Sequence, residues 1–347
     1  FITPYFISYH NSNSLYHAGN YIFKSENKGE NWKVVSHNLT KSKKYPQKKS
    51  IAAGAIAESK IQKGLLYVGT DKGIFWSSKD DGKTWKENSD NISDGYIRGI
   101  HPSLYKKSRV YMSMTGINYD DLNNYMYVSE NYGEEWKRLK GNLPNEPVNL
   151  IIEDHKFENI LYAGMYRGVY ISLDKGSSWN LIGNNFPMSS VSDIEIDKET
   201  NDMIVASHGR GLYKLNLNPI HNYFINRDIL EDDKILNTEK FILPKFNDTH
   251  REPIINTYEK VPISFYLNKE KKYSLIIKES NNILWELEGI GKKGLNQFRW
   301  DLILEKNNSQ KPYHIHFNKF INAGNYTLIL KTDDNIHNVE IDVNEYN

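Results

Sequence analysis

The stretch Ser78-Lys79-Asp80-Asp81-Gly82-Lys83-Thr84-Trp85 decides how the chain folds. It has the form S-x-D-x-G-x-x-W and returns three times in altered form, as Ser25-Glu26-Asn27-Lys28-Gly29-Glu30-Asn31-Trp32, Ser129-Glu130-Asn131-Tyr132-Gly133-Glu134-Glu135-Trp136 and Ser172-Leu173-Asp174-Lys175-Gly176-Ser177-Ser178-Trp179. From tryptophan to tryptophan the steps are 53, 51 and 43 residues, and self-similarity at such a period marks a repeat architecture. The chemistry is that of a hairpin turn. An Asx side chain bonds backbone N–H groups two residues on, glycine takes the positive φ, and tryptophan opens the next strand as an apolar plug. Asp80 and Asp174 bring a charge to the Asx position where Asn27 and Asn131 do not. The motif, with Trp32, Trp85, Trp136 and Trp179, reads as structural, the alternative being that its aspartates bind a cation.

Outward from these turns each repeat reads as four short strands. Inner strands are expected at Tyr5–Tyr9, Ile51–Ala57, Tyr96–His101, Val148–Glu153 and Val191–Ile196, and second strands at Ser14–Ala18, Leu65–Gly69, Arg109–Met114, Ile160–Gly164 and Met203–Ser207. Third strands follow at Tyr21–Lys24, Gly73–Ser77, Tyr125–Ser129, Gly168–Ser172 and Gly211–Leu215, and fourth strands after each tryptophan. Short β-rich runs cut by Gly, Asn and Pro at regular spacing are the signature of a radial β fold. The fifth repeat stops after its third strand, because Asn216-Leu217-Asn218-Pro219 carries no further octapeptide.

These residues resemble the Asp-box, or BNR, repeat of sialidases, xyloglucan-cleaving hydrolases and sortilin-type sorting receptors, all of them β-propellers. The resemblance covers about residues 1–217. Rings of this repeat usually have seven or more blades, and an unclosed ring leaves sheet edges that proteins avoid. The expectation is therefore the C-terminal part of a propeller of about five four-stranded blades, with the remaining blades upstream or on another polypeptide. Residues 218–260 read as a connector, and 261–347 as a β-sandwich with strands at Val261–Leu267, Tyr273–Lys278, Ile283–Leu287, Asn296–Trp300, Tyr313–Phe317, Tyr326–Leu330 and Val339–Val343. Within it Gly294-Leu295-Asn296-Gln297-Phe298-Arg299-Trp300-Asp301 and Ala323-Gly324-Asn325-Tyr326-Thr327 resemble the pattern of Ig-like domains of the flagellar hook-cap type. The order of the parts is similar to large bacterial proteins described as sortilin-like or BNR-repeat glycosyl hydrolases. That resemblance implies an extracellular, cell-surface or periplasmic location.

Composition narrows the function. With 44 basic and 43 acidic residues the net charge is +1, so no global field points to nucleic acid or a membrane surface. No apolar run reaches the ~18 residues of a membrane span. Cysteine is absent and the 11 histidines lack ligand spacing, so no metal or other cofactor is expected. Partners are expected to be a protein, peptide or glycan.

Propeller geometry sorts the loops. The octapeptide turns lie on one face, and the loops joining second to third strands, and blade to blade, on the other, where propellers bind ligands. That face should show Gly69–Gly73, Thr115–Asn124, Gly164–Gly168 and Ser207–Gly211. Asp71 is the sharpest candidate, because its Thr-Asp-Lys-Gly segment resembles the T-D-x-G around a catalytic aspartate of xyloglucan-cleaving propellers. Inverting hydrolysis needs two carboxylates about 6.5–9.5 Å apart, and the mate could be Asp120 or Asp121, in the longest such loop, or a residue of the remaining blades. The plainer reading is that Asp71 shapes a hairpin and the other two are solvated. Tyr166, Arg167, His208 and Arg210 are the expected ligand contacts, Arg210 offering a fork beside glycines. Sialidase chemistry wants three arginines, but Arg98 falls on an inner strand and no Arg-Ile-Pro segment occurs. The lysine-rich loop Lys41–Lys49 offers a local polyanion patch or a solvated run. Two functions remain in view, a non-catalytic recognition module and an inverting glycoside hydrolase.

Overall fold

A computed structural model describes residues 3–44, 51–182, 186–226, 231–236, 240–246, 253–254, 260–305 and 319–346. The chain divides into two compact units, Phe1–Asn216 and Leu217–Asn347. The first is an all-β, propeller-type array of consecutive antiparallel sheets.

The first sheet holds β1 (Tyr5–Ile7), β2 (Leu15–Ala18), β3 (Ile22–Ser25) and β4 (Lys33–Val34), and the second β5 (Ala53–Glu58), β6 (Leu66–Thr70), β7 (Phe75–Ser78) and β8 (Lys86–Glu87). The third holds β9 (Tyr96–Pro102), β10 (Val110–Gly116), β11 (Asp121–Ser129) and β12 (Lys137–Arg138), and the fourth β13 (Val148–Glu153), β14 (Leu161–Met165), β15 (Gly168–Ser172) and β16 (Asn180–Ile182). The fifth has three strands, β17 (Val191–Ile196), β18 (Asp202–Ser207) and β19 (Gly211–Asn216).

The octapeptides form one turn four times over. Each leading serine donates to its Asx oxygen, at 2.9 Å from Ser25, Ser78 and Ser129 and 2.7 Å from Ser172, and accepts the glycine N–H at 2.8–2.9 Å. The same Asx oxygen accepts the N–H four residues on, at 2.9 Å from Asn31 and Glu135 and 2.8 Å from Thr84 and Ser178. This corrects the expected two-residue reach. The residue before each glycine is left-handed as well, Lys28 at φ 58°, Asp81 at 62°, Tyr132 at 65° and Lys175 at 57°. The side-chain bonds hold residues there that would otherwise avoid that region.

The tryptophans tie one sheet to the next. Trp85 Nε1 donates to Gly82 of its own turn at 3.0 Å and to Val35 O of the preceding sheet at 2.9 Å. Trp179, 2% exposed, packs beside Leu139 of the third sheet. Trp32, with no earlier sheet among the described residues, is 42% exposed.

Alternation in the second strands does the rest. Leu66 and Val68 join a core with Tyr16, Ala18 and Ile22 of the first sheet, while Tyr67 between them faces Ile97 and Met112 of the third. Tyr111 likewise faces the fourth sheet where Met112 faces the second. A strand buried on both faces reads as a near-continuous apolar run, as Leu65-Leu66-Tyr67-Val68 does. The approach is close enough that a Cβ at Gly69 would lie 2.3 Å from Ile97 Cγ2. In the fifth sheet β19 has no buried residue and Leu212 is 73% exposed.

A latch with a two-sheet period joins the inner strands. Ser8 donates to Glu58 at 2.6 Å, and 95 residues on, Ser103 donates to Glu153 at 2.8 Å. His10 Nε2 pairs with Ser59 O at 2.9 Å just as Tyr105 Oη pairs with Asp154 O at 2.9 Å. Glu153 also accepts the Leu104 N–H at 2.7 Å and lies 3.6 Å from Arg109.

In the second unit, helix α1 (Asn218–Asn226) leads to β20 (Lys234–Ile235) and β21 (Phe241–Ile242), then β22 (Val261–Leu267), β23 (Lys271–Glu279), β24 (Asn282–Gly291) and β25 (Gly294–Trp300). The short β26 (Ile303–Glu305) and β27 (Lys319–Phe320) pair together, and β28 (Gly324–Thr332) and β29 (Ile336–Asn344) close the chain. Sheets β20-β22-β25 and β21-β29-β28-β23-β24 share one core around Trp300, Phe265 and Phe241. The expected strand Tyr313–Phe317 lies outside the described residues, as does most of the loop Lys41–Lys49. The stretch read as connector instead supplies α1, with Pro219 in its first turn where no N–H is needed, and a strand to each sheet.

Asp233, 2% exposed, fixes that arrangement by accepting from Lys271 Nζ at 2.7 Å, Thr332 at 2.6 Å and the Asn268 N–H at 3.0 Å. Burial pulls its pKa up, but the Lys271 ammonium and these donors outweigh it and hold the carboxyl below its ordinary 3.8. Burial pulls Lys271 down, and Asp233 and Asp334 outweigh it, raising the amine above 10.5.

Two outcomes follow from these contacts. Glu153→Ala, which strands the Leu104 N–H and the Ser103 hydroxyl, should cost the first unit about 3 kcal/mol in urea unfolding, with Glu153→Gln retaining part of it; a loss under about 1 kcal/mol would show that the latch holds nothing. In the second unit a depressed acid and a raised base stabilise between their unfolded values. The unfolding midpoint should be flat from about pH 5 to pH 9 and fall as pH drops below about 4, and Asp233→Asn should lower the plateau and shrink the acid limb, leaving the part that Asp334 contributes through Lys269 and Lys271.

Candidate functional site

The second-to-third-strand hairpins set the predicted loop face. In the second sheet Asp71 forms a reciprocal clasp with the chain entering β5: its N–H donates to Ala52 O at 3.0 Å, and its carboxylate accepts the Ala52 N–H at 3.1 Å. Thr70 Oγ1 accepts the Ile74 N–H at 3.0 Å, and Gly73, at φ 71°, closes the turn. Asp71 is 8% exposed, its carboxylate turned to backbone.

In the third sheet the long loop expected at 115–124 is replaced by strand. β10 runs to Gly116, a 3-10 turn spans Ile117–Tyr119, and β11 begins at Asp121. Asp120 caps the turn in a left-handed conformation, φ 57°. Asp121 accepts from the Tyr125 hydroxyl and from the Asn123 N–H at 2.9 Å. The Tyr125 bond, the larger influence, and the Asn123 N–H hold its carboxyl below the usual range. Asp71 and Asp121 are thus each turned to donors of their own sheet.

In the fourth sheet Tyr166 is 39% exposed, and Arg167 Nε lies 3.4 Å from Glu146, a residue on the incoming loop that sequence reasoning missed. Burial pushes the Glu146 carboxyl up, with Arg167 only partly offsetting it. In the fifth sheet the His208 N–H donates to Ser190 O at 2.8 Å, and both His208 and Arg210 point to solvent at the hairpin tip.

A second locus lies along the inner strands, where a cavity of about 240 Å³ is lined by residues of β9, β13 and β17 and of the turns that follow β1, β5, β9, β13 and β17. The residue one past each inner-strand turn, Tyr9, Lys60, Leu104, His155 and Lys198, forms its border at the end of the strands where the octapeptide turns also lie. Deeper along it are Arg98 and His101 of β9, Asn149 of β13, and Asp193 and Glu195 of β17. Burial, with Lys60 nearby, pushes His101 down to about 3, so it is neutral at physiological pH. The sequence carried a signal for β17: in Val191-Ser192-Asp193-Ile194-Glu195-Ile196 acids alternate with apolar residues, which places Asp193 and Glu195 on one face of a strand.

No protein-family model matches the chain, and neither does any curated protein. Among solved structures it is similar to a GH74 enzyme of Niastella koreensis, at 12% identity over 61% of this chain and 29% of that one, TM-score 0.46. It is also similar to the GH74 xyloglucanase of Xanthomonas campestris, at 13% over 94% and 48%, TM-score 0.46, and to the Pan2 WD40 domain of Neurospora crassa, at 10% over 61% and 61%, TM-score 0.42. The chain spans under half the length of the two GH74 proteins. These likenesses are too loose to carry an argument; the repeated sheets themselves define the propeller-type fold. Among the described residues no helix is long and apolar enough to cross a membrane.

The clasp at Asp71 separates a structural from a catalytic role. Asp71→Ala should lower stability by about 1–3 kcal/mol, and Asp71→Asn, which keeps an acceptor for the Ala52 N–H, by clearly less. Equal and negligible effects of both on the unfolding midpoint would remove the structural role.

Proposed function

We propose that the chain is part of a bacterial, secreted or cell-surface Asp-box (BNR-repeat) β-propeller of the sortilin-like kind, followed by an Ig-like domain of the hook-cap type, and that it is a recognition module. Its loop face binds a protein, peptide or glycan through Tyr166, Arg167, His208 and Arg210. The observation that carries this reading is the fate of the sharpest acid: the Asp71 carboxylate is bonded to the Ala52 N–H at 3.1 Å, inside the scaffold. A platform of exposed aromatic and cationic hairpin tips needs no such acid. The remaining blades, upstream or on another chain, would complete the fifth sheet along the exposed strand β19.

One observation favours the second reading, an inverting glycoside hydrolase. Glu146 is a buried carboxyl with a raised pKa beside the Tyr166–Arg167 hairpin, and a general acid needs that property. The two readings separate on a polysaccharide panel of β-glucans, xyloglucan, pectins and sialylated glycans incubated with the full protein. No new reducing ends are expected, with ligand retention lost in a Tyr166→Ala, Arg167→Ala double variant. Release that Glu146→Gln or Asp71→Asn abolishes would overturn the recognition reading in favour of the hydrolase.

A further inference from the structure

The cavity along the inner strands divides by charge. On its second- and third-sheet side stand Lys60, whose Nζ sits 4.5 Å over the Tyr9 ring, and Arg98, whose guanidinium sits 5.5 Å over Tyr96. Neither has an ion pair among the described residues. On its fourth- and fifth-sheet side stand acceptors. Glu195 is exposed and Asp193 accepts only the N–H of its neighbour Ile194, at 2.9 Å. Asn149 spends both amide hydrogens on β17 and its approach, at 2.9 Å to Ser190 Oγ and 2.7 Å to Val191 O. Its Oδ1 is left without a hydrogen-bond partner, although the residue is only 6% exposed.

A cavity lined by a cation and by acids that make no ion pair with one another fits a ligand that carries both charges. A cation on one wall and acids on the other fix the polarity: the anionic end toward Arg98, the cationic end toward Asp193 and Glu195. Lys60 and Lys198 both stand at the border, one beside each wall, so the polarity rests on Arg98 against Asp193 and Glu195. Neutral His101 adds no charge to the donor side. The cavity is smaller than the roughly 300–1,000 Å³ of drug-sized sites, which limits the occupant to a few heavy atoms beyond its two charged groups.

We propose that this cavity binds a small zwitterion, with a carboxylate and an ammonium of amino-acid or dipeptide size. The site lies along the inner strands, apart from the hairpin tips of the loop face, so it stands or falls independently of the function proposed above.

Titration calorimetry of the full chain tests it, with alanine, glutamate and lysine as free amino acids and Ala-Ala as a dipeptide. N-acetylalanine and alaninamide each delete one charge of the ligand. Saturable binding of a free amino acid or of the dipeptide is expected, the responding arm naming the source, with at least tenfold loss for both blocked forms. Arg98→Ala should weaken the zwitterion at least tenfold while leaving alaninamide unchanged. Asp193→Asn should do the same while leaving N-acetylalanine unchanged. Both residues are exposed, so an unaltered melting curve shows that the variants remain folded. No saturation by any zwitterion, or equal binding of a blocked form, would overturn the proposal.

Discussion

A serine hydroxyl set between an Asx oxygen and a glycine N–H is the contact from which the first unit is built. Made at Ser25, Ser78, Ser129 and Ser172, it turns the chain from third strand to fourth through two successive left-handed residues. Only with that turn fixed does the next tryptophan leave its strand at an angle that returns it to the sheet before, as Trp85 returns to Val35. The exchange of Asp for Asn at 27 and 131 changes nothing in this geometry, because the oxygen that matters accepts hydrogen bonds whether or not it is charged. In Asp80 and Asp174 the second carboxylate oxygen is taken by the Thr84 and Ser178 hydroxyls at 2.6 Å, so the turn supplies the donors that a cation would otherwise replace.

Strand positions in the first unit were legible because three independent signals agreed: the octapeptides, glycines at the hairpins, and apolar runs such as Leu65–Val68. What could not be read was the detail of the turn, since the four-residue reach of Asn27 and the left-handed Lys28 depend on a bond the serine makes elsewhere. The loop at 115–124 was misjudged for a related reason. Asn118-Tyr119-Asp120-Asp121 has the composition of a solvated loop and does form an exposed turn, but the ladder closes on it from both sides, with Gly116 paired to Asp121. In the connector, the Asn- and Pro-rich composition masked α1, whose Tyr223 stacks on Tyr266 with ring centroids 5.7 Å apart.

The candidate site was less legible than the fold. A T-D-x-G segment can be seen in a sequence, but whether its carboxylate faces a ligand or Ala52 depends on how the incoming strand lies beside it. The cavity residues are harder still, because Lys60, Arg98, Asn149 and Asp193 come from four repeats and converge only when the inner strands are placed side by side. Glu146 gave no sign at all, since nothing in Asn145-Glu146-Pro147 tells that the glutamate is buried or that Arg167, 21 residues on, lies beside it.

The pairing of Ser8 with Glu58 and of Ser103 with Glu153 gives the array a grain that its individual sheets lack. The first and third sheets bring the hydroxyl and the second and fourth the carboxylate, so each latch closes within one couple of sheets. Growth or loss of the array by whole couples preserves every latch, whereas removing a single sheet sets like against like and leaves a buried glutamate facing no donor. In the fifth sheet Asp197 stands where Ser8 and Ser103 stand, so that position offers an acceptor in place of a hydroxyl and the grain ends there.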